Sequence, residues 1–337
     1  MLKFYKILFF TSLITGTLIS VSSYSWMGMW IGLEVNLLSI IPLMSSNKNM
    51  LTSEAAMKYF ITQAMASTLL MFSMIMLSMN FIYNIQLNTY LLYIMNTSLL
   101  IKMGAAPFHF WFPEVMEGLS WENSTIMLTW QKIAPMVLIM YSNKTPFYLM
   151  FSIILSSIIS GIMGVNQISL RKILAYSSIN HIGWMLAAIL FLESIWFFYF
   201  IIYTLITVSI ILIFKTLNVF LLTQLFSSTL NNPTIKMSFM INFFSLGGLP
   251  PFLGFFPKWL TIQALIENGV YSMTIILIIT TLMTLFFYVR LILSTFIIKT
   301  NEMNLINVPL INSTMIWMIN FITLIGLMIS TISFSMM

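Results

Sequence analysis

Lys102-Met103-Gly104-Ala105-Ala106-Pro107-Phe108-His109-Phe110-Trp111-Phe112-Pro113-Glu114 decides how this chain is read. It closes an apolar run, Tyr90 to Ile101, that is long enough to enter a bilayer. A lysine then appears, followed by a Gly/Pro break and a knot of aromatic residues. A lysine at membrane depth costs about 3 kcal/mol on insertion scales, so it faces protein or water and is a functional candidate by default. Pro107 has no N–H to donate to the carbonyl four residues back, that of Met103. The break therefore predicts a bare carbonyl beside the lysine, where lipid cannot satisfy it.

The break occurs twice. Gly248-Leu249-Pro250-Pro251-Phe252-Leu253-Gly254-Phe255-Phe256-Pro257 matches Gly104 to Pro113 at Gly, Pro, Phe, Phe and Pro, in register, and Lys258 follows directly. Gly/Pro-interrupted apolar segments at matching positions in two halves point to a transporter built from inverted repeats. The second copy lies five apolar segments after the first. An odd number of crossings reverses direction, so the two copies are expected to be inverted.

Of the 337 residues, 60% are hydrophobic and 7% charged, against roughly 25% charged in soluble domains. The chain is a polytopic membrane protein, with no soluble domain and no long linker. It has no Cys, which excludes a disulfide, a zinc cluster or a thiolate-held iron–sulfur cluster. With two His and no Asp, no metal or haem centre is expected, and no cofactor. The net charge of +6 reads as loop lysines on one membrane face and not as nucleic-acid binding. Met1-Leu2-Lys3-Phe4 resembles a signal peptide weakly, but no small-residue cleavage site follows, so it reads as a first membrane helix. Thirty Met and two Arg suggest an AT-rich, organellar coding sequence.

A spanning helix needs about 20 apolar residues, and about eleven such stretches are present. They lie at 5–23, 26–45, 55–79, 88–104, 122–141, 147–166, 172–191, 194–218, 237–266 with the break, 270–295 and 312–335. The polar stretches Ser45 to Ser53 and Thr223 to Lys236 read as loops or a surface helix. Lys3, Lys6, Lys48, Arg171, Lys172, Lys236 and Lys299 fall on the N-terminal side, with Lys144 alone opposite. That excess marks the cytoplasm-like side, here the matrix.

Against this background the charges within the apolar segments stand out: Glu34, Lys102, Lys132 and Lys258. Pro135 frees the carbonyl of Gln131, next to Lys132, and Pro257 frees that of Leu253, one turn before Lys258. Broken helices at depth are tolerated where they line a cavity. Lys215, near the end of its segment, can reach the surface. His181 lies among Tyr176, Ser177, Ser178 and Asn180. It reads either as a relay imidazole or as a hydrogen-bonded packing residue. His109, inside the break, reads as a structural hydrogen-bonder.

One glutamate and three lysines can form a proton relay. Burial favours the neutral form of a carboxyl or an ammonium, and an opposite charge within about 5 Å favours the charged forms. Making and breaking a Glu34–Lys102 pair, directly or through one water, would switch the lysine's hold on its proton. The competing reading is a buried structural ion pair with lysines that reach the surface. Lys102, Lys132, His181 and Lys258 are expected along one hydrated row at mid-membrane depth.

Lys102 to Gly118, KMGAAPFHFWFPEVMEG, resembles the signature of the subunit 2 family of mitochondrial NADH:ubiquinone oxidoreductase, respiratory complex I. Gly32-Leu33-Glu34-Val35-Asn36, Trp130-Gln131-Lys132-Ile133-Ala134-Pro135, Arg171 to Ile179 and Gly247-Gly248-Leu249-Pro250-Pro251-Phe252 resemble its other characteristic segments. The family is related to the membrane subunits of multi-subunit cation/proton antiporters. The resemblance implies two inverted five-helix repeats, each with a broken helix, and a proton channel between them. By position it assigns Glu34 as the acid, Lys102 as its partner, Lys132 as the central lysine and Lys258 as the exit-side lysine. Animal members lack three N-terminal helices of bacterial relatives, which agrees with about eleven spans. The shortening leaves the first repeat exposed on one side, where partner subunits or lipid would cover it.

The expectation is therefore an all-α polytopic membrane protein, with residues 1–337 forming a single antiporter-like transmembrane domain. It is a proton-carrying subunit of an NADH:ubiquinone reductase with no redox centre of its own, working through Glu34, Lys102, Lys132, Lys258 and His181. It would sit in the mitochondrial inner membrane with its N-terminus on the matrix side. Its partners would be the other membrane-arm subunits, accessory subunits and lipids such as cardiolipin. The rival readings are a free-standing cation/proton antiporter and a structural subunit without pumping.

Overall fold

In lipid a backbone satisfies its own N–H and C=O groups by forming helices, and these apolar runs do so. A computed structural model describes residues 4–45, 49–83, 88–142, 145–229, 233–250, 252–297 and 321. The expected span at 312–335 lies, apart from Phe321, outside them. Every other expected span is helical. The elements are α1 (Phe4–Ser22), α2 (Trp26–Met44), α3 (Met50–Tyr83), α4 (Asn88–Met103), α5 (Trp111–Gly118) and α6 (Trp121–Leu128). A 3₁₀ turn (Trp130–Lys132) leads into α7 (Ile133–Tyr141). Then come α8 (Pro146–Val165), α9 (Leu170–Phe191), α10 (Glu193–Leu217), α11 (Leu222–Thr229), α12 (Pro233–Gly247), α13 (Phe255–Glu267) and α14 (Tyr271–Ile297). Among the described residues there is no strand, only an isolated antiparallel bridge between Ser169 and Leu221. Helices α1, α2, α3, α8, α9, α10 and α14 are each long and apolar enough to cross a membrane. The chain is a multi-pass, all-helical membrane protein.

Several boundaries differ from the sequence reading, each for a local reason. The helix expected at 55–79 starts at Met50, because its first turns carry Ser53, Glu54 and Lys58 at the surface before the apolar stretch begins. The aromatic knot after the first break is itself a short helix, α5. The polar stretch from Thr223 contains α11. The span at 122–141 is divided by the 3₁₀ turn, in which the Lys132 N–H donates to Thr129 O at 3.3 Å. Pro135 withholds the N–H that would complete the α-helical ladder there. A 3₁₀ stretch inside a longer helix is a common mark of a functional hinge.

The chain divides into two compact units, Met1–Leu155 and Ser156–Met337, and each contains one copy of the break. In the first unit α1 and α2 pack so closely that a Cβ on Gly32 would lie 2.5 Å from the backbone nitrogen of Ser20. Small residues at such crossings let helices meet backbone to backbone in a membrane. Helix α3 then lies against α2, α4 and α5, and α7 lies against α4. In the second unit α9 is buried almost throughout and packs against α10, α13 and α14.

The two breaks share a hydrogen-bond pattern as well as a sequence. At the end of α4, Gly104 (φ +73°) donates to Ile101 O and Ala105 to Leu100 O. At the end of α12, Gly248 (φ +75°) donates to Ser245 O and Leu249 to Phe244 O. Both are the left-handed glycine cap that satisfies the last carbonyls of a helix with a doubled bond. Four residues after each glycine, Phe108 donates to Ala105 O and Phe252 to Leu249 O, both at 2.9 Å. Phe112 to His109 O and Phe256 to Leu253 O complete the match at 3.0 and 3.3 Å.

Candidate functional site

In the first unit the ionisable groups gather around the break. Lys102 is in the last turn of α4 and buried. The carbonyls at this helix end are capped by donors on other segments: Trp111 Nε1 donates to Ile101 O at 3.1 Å and Gln63 Nε2 to Lys102 O at 3.4 Å. His109 is buried in the break with Nδ1 3.2 Å from Pro107 O, a structural contact. Lys132, 1% exposed, lies in the 3₁₀ turn with its ammonium 5.8 Å from the centre of the Phe112 ring. Phe112 also closes over Gly104. One aromatic ring thus touches both the central lysine and the broken helix.

Glu34, half-buried in the middle of α2, is near enough to Lys102 to act on it electrostatically. The direct ion pair is not made. Among the described residues, the ion pairs are those of Lys58 with Glu54 (2.9 Å) and Glu114 (2.8 Å), at the exposed start of α3. An amide chain instead joins α2 to the 3₁₀ turn. Tyr59 Oη donates to Gln131 Oε1 at 3.3 Å, and Gln131 Nε2 donates to Asn36 Oδ1 at 2.8 Å. Asn36, Tyr59, Gln63, Lys102 and Gln131 line a cavity of about 10 Å³. That is room for about one water, and the lining has the polar partners a buried water needs.

In the second unit, His181 is buried on α9 with Nδ1 2.9 Å from Tyr199 Oη and its ring against Tyr203, 5.0 Å between centres. Trp184, one turn further along the same face of α9, lies 6.0 Å from the ammonium of Lys258. Lys258 is buried in the first turn of α13 but reaches back across the break, donating to Gly247 O at 2.9 Å and Leu246 O at 3.2 Å. This corrects the sequence reading. The carbonyl of Leu253, which Pro257 leaves without its helical partner, is taken by the N–H of Phe256. The lysine binds instead where the partial negative charge at the C-terminal end of α12 favours a cation. Gly248 is required twice over: its φ of +75° disfavours other residues, and a Cβ there would lie 2.7 Å from Lys258 Cδ. Lys215 is exposed in the last turn of α10.

The family model for the membrane region of NADH:quinone oxidoreductases and Mrp antiporters matches residues 23–284, a range that takes in both breaks and all five ionisable residues. NADH-ubiquinone oxidoreductase chain 2 of Anopheles gambiae is 52% identical over 296 residues, 87% of this chain and 86% of the relative. The Aedes aegypti chain 2 is 48% identical over 330 residues, 96% of each chain. The chain belongs to the NADH-ubiquinone oxidoreductase chain 2 family. Its fold matches a chain of respiratory complex I from Thermus thermophilus with a TM-score of 0.85 at 23% identity, over 97% of this chain and 79% of that one.

For this chain 2 member the structure adds residues that sequence reasoning passed over. Asn36, Gln63, Gln131 and Tyr59 are ordinary polar residues in their own segments. Their signal was present in part, since Asn36 and Gln131 fall inside the family-like segments around Glu34 and Lys132.

Proposed function

We propose that this chain is a core membrane subunit of mitochondrial complex I that carries protons, driven by quinone chemistry in other subunits. The observation that carries the reading is a buried lysine at each of two matched helix breaks, one beside a water-sized polar cavity and one holding freed carbonyls. Buried ionisable groups of this kind are expensive in a membrane and mark proton pathways. Lys102 can exchange a proton with a water held by Asn36, Gln63 and Gln131. Glu34 biases the lysine's charge from α2. Lys132 stands on the 3₁₀ turn that Gln131 anchors, so a shift of that turn moves both. In the second unit His181, hydrogen-bonded to Tyr199, and Lys258 supply the corresponding acceptors. The chain itself holds no redox group in this scheme.

The partners are the other membrane-arm subunits, accessory subunits and anionic lipids such as cardiolipin. The location is the mitochondrial inner membrane, with the N-terminus on the matrix side. Tags at residue 3 and at residue 171 are expected to be labelled from the same face, and labelling from opposite faces would refute the orientation.

The function is tested by Lys102→Gln in the assembled complex. The proton-to-electron ratio is expected to fall at matched complex abundance. An unchanged ratio would remove Lys102 from the path and leave the chain a structural role.

A further inference from the structure

Helix α3 reaches both places in the first unit where a helix is interrupted beside a lysine. At the end of α4, Gln63 Nε2 donates to Lys102 O at 3.4 Å. Tyr59 lies one turn earlier on the same face of α3 and donates from its hydroxyl to Gln131 Oε1 at 3.3 Å. The Tyr59 ring packs edge-on against Trp111, 5.8 Å between centres, and Trp111 caps Ile101 O. Phe112, next to Trp111 on α5, is the ring that faces the Lys132 ammonium. One side chain of α3 therefore contacts both the turn that carries Lys132 and the helix that carries the ring opposite it.

The turn is weakly held by its own backbone. Its bonds are of the 3₁₀ type, from Lys132 N–H to Thr129 O at 3.3 Å and from Ile133 N–H to Trp130 O. Such bonds have poorer geometry than α-helical ones, and Pro135 supplies no donor to Gln131 O. The Gln131 side chain adds what the backbone lacks. Its carboxamide is engaged at both ends, accepting from Tyr59 and donating to Asn36 Oδ1 at 2.8 Å. Both anchors are buried.

We propose that Gln131 is a positioning residue for proton transfer. Tied to α2 through Asn36 and to α3 through Tyr59, it fixes the 3₁₀ turn and so sets where the Lys132 ammonium stands relative to Phe112 and the broken end of α4. The proposal rests on the proton-carrying reading above. An amide does not readily take up or give up a proton, so the part of Gln131 is geometric. Lys132 adjoins it in the chain, so a turn released from Asn36 and Tyr59 carries the ammonium with it. A misplacement of about 1 Å can slow a transfer step by about a hundredfold.

Gln131→Asn shortens the side chain by one methylene and breaks its span between the two anchors. The double variant Asn36→Gln/Gln131→Asn returns that methylene from the α2 side. Tyr59→Phe removes only the hydroxyl at the other anchor. The proton-to-electron ratio of each assembled complex is measured at matched abundance. It is expected to fall partially in Gln131→Asn and in Tyr59→Phe, and to recover part of the loss in the double variant. A bond that served folding alone would lower abundance and leave the ratio at the parent value. A parent-like ratio in Gln131→Asn, or a double variant no better than the single one, overturns the proposal. If either variant at residue 131 does not assemble, Tyr59→Phe decides: a lower ratio supports the proposal and an unchanged ratio overturns it. An unchanged ratio in Lys102→Gln refutes the proton-carrying reading itself. A lowered ratio there with a parent-like Gln131→Asn refutes the role of Gln131 alone.

Discussion

Lys132→Ala is expected to abolish most proton translocation by the assembled complex while leaving its abundance close to that of the parent. The side chain is 1% exposed, in a 3₁₀ turn, with an aromatic ring beside its ammonium. A cation over a ring contributes about 0.5–2 kcal/mol, and that loss is offset by no longer holding a charge away from water. The substitution removes the group at this position that can take up and release a proton. Lys132→Arg should be nearly as damaging to translocation, since a guanidinium stays protonated and cannot relay. A fixed structural cation would give the opposite pattern, with arginine tolerated and alanine failing to assemble. Proton-to-electron ratio and complex abundance, measured together in both variants, separate the two outcomes.

Lys258→Met is expected to behave differently, with a clear loss of assembled complex. Its ammonium donates to the carbonyls of Leu246 and Gly247. Without it two buried acceptors lose their partner, at a cost of about 1–3 kcal/mol each. Gly248→Ala should share this phenotype, because the new methyl would push the lysine off those carbonyls and the left-handed backbone would add about 1–2 kcal/mol of strain. Lys258→Arg restores donors to the carbonyls but cannot give up its proton. Abundance should recover with arginine and the proton-to-electron ratio should not. If Lys258→Met assembles normally, the capping role is wrong. If Lys258→Arg pumps normally, the relay role is wrong.

The helices were legible from apolar run length, because a backbone in lipid has few other options. The two breaks were legible because Gly and Pro act on the few residues beside them, and the glycine caps at Gly104 and Gly248 bear that out. What lay beyond the sequence was long-range. The Gln131–Asn36 and Gln131–Tyr59 bonds join residues 95 and 72 positions apart, and no local pattern reports such pairings. The reach of Lys258 past Gly248 to Leu246 was likewise missed. Counting back from Pro257 finds the carbonyl that loses its helical donor, whereas the fold of the turn decides which carbonyl meets the ammonium. The surroundings of Lys102 have a similar origin: Asn36, Gln63 and Gln131, which line the small cavity beside it, come from three separate segments.

The lysines at the two breaks reach their places by different routes. Lys102 stands before its glycine, in the last turn of α4, and Lys258 stands after its own, at the start of α13, bending back onto α12. With the glycines superposed in sequence, Lys102 falls opposite Leu246, and Lys258 opposite Glu114, which is bound to Lys58. If the halves descend from one duplicated ancestor, selection kept a positive charge at the mouth of each severed helix and let the codon that supplies it move. Tracing that ancestry column by column would pair a base with an acid. The lineage is better followed through where the charge arrives in space than through which position encodes it.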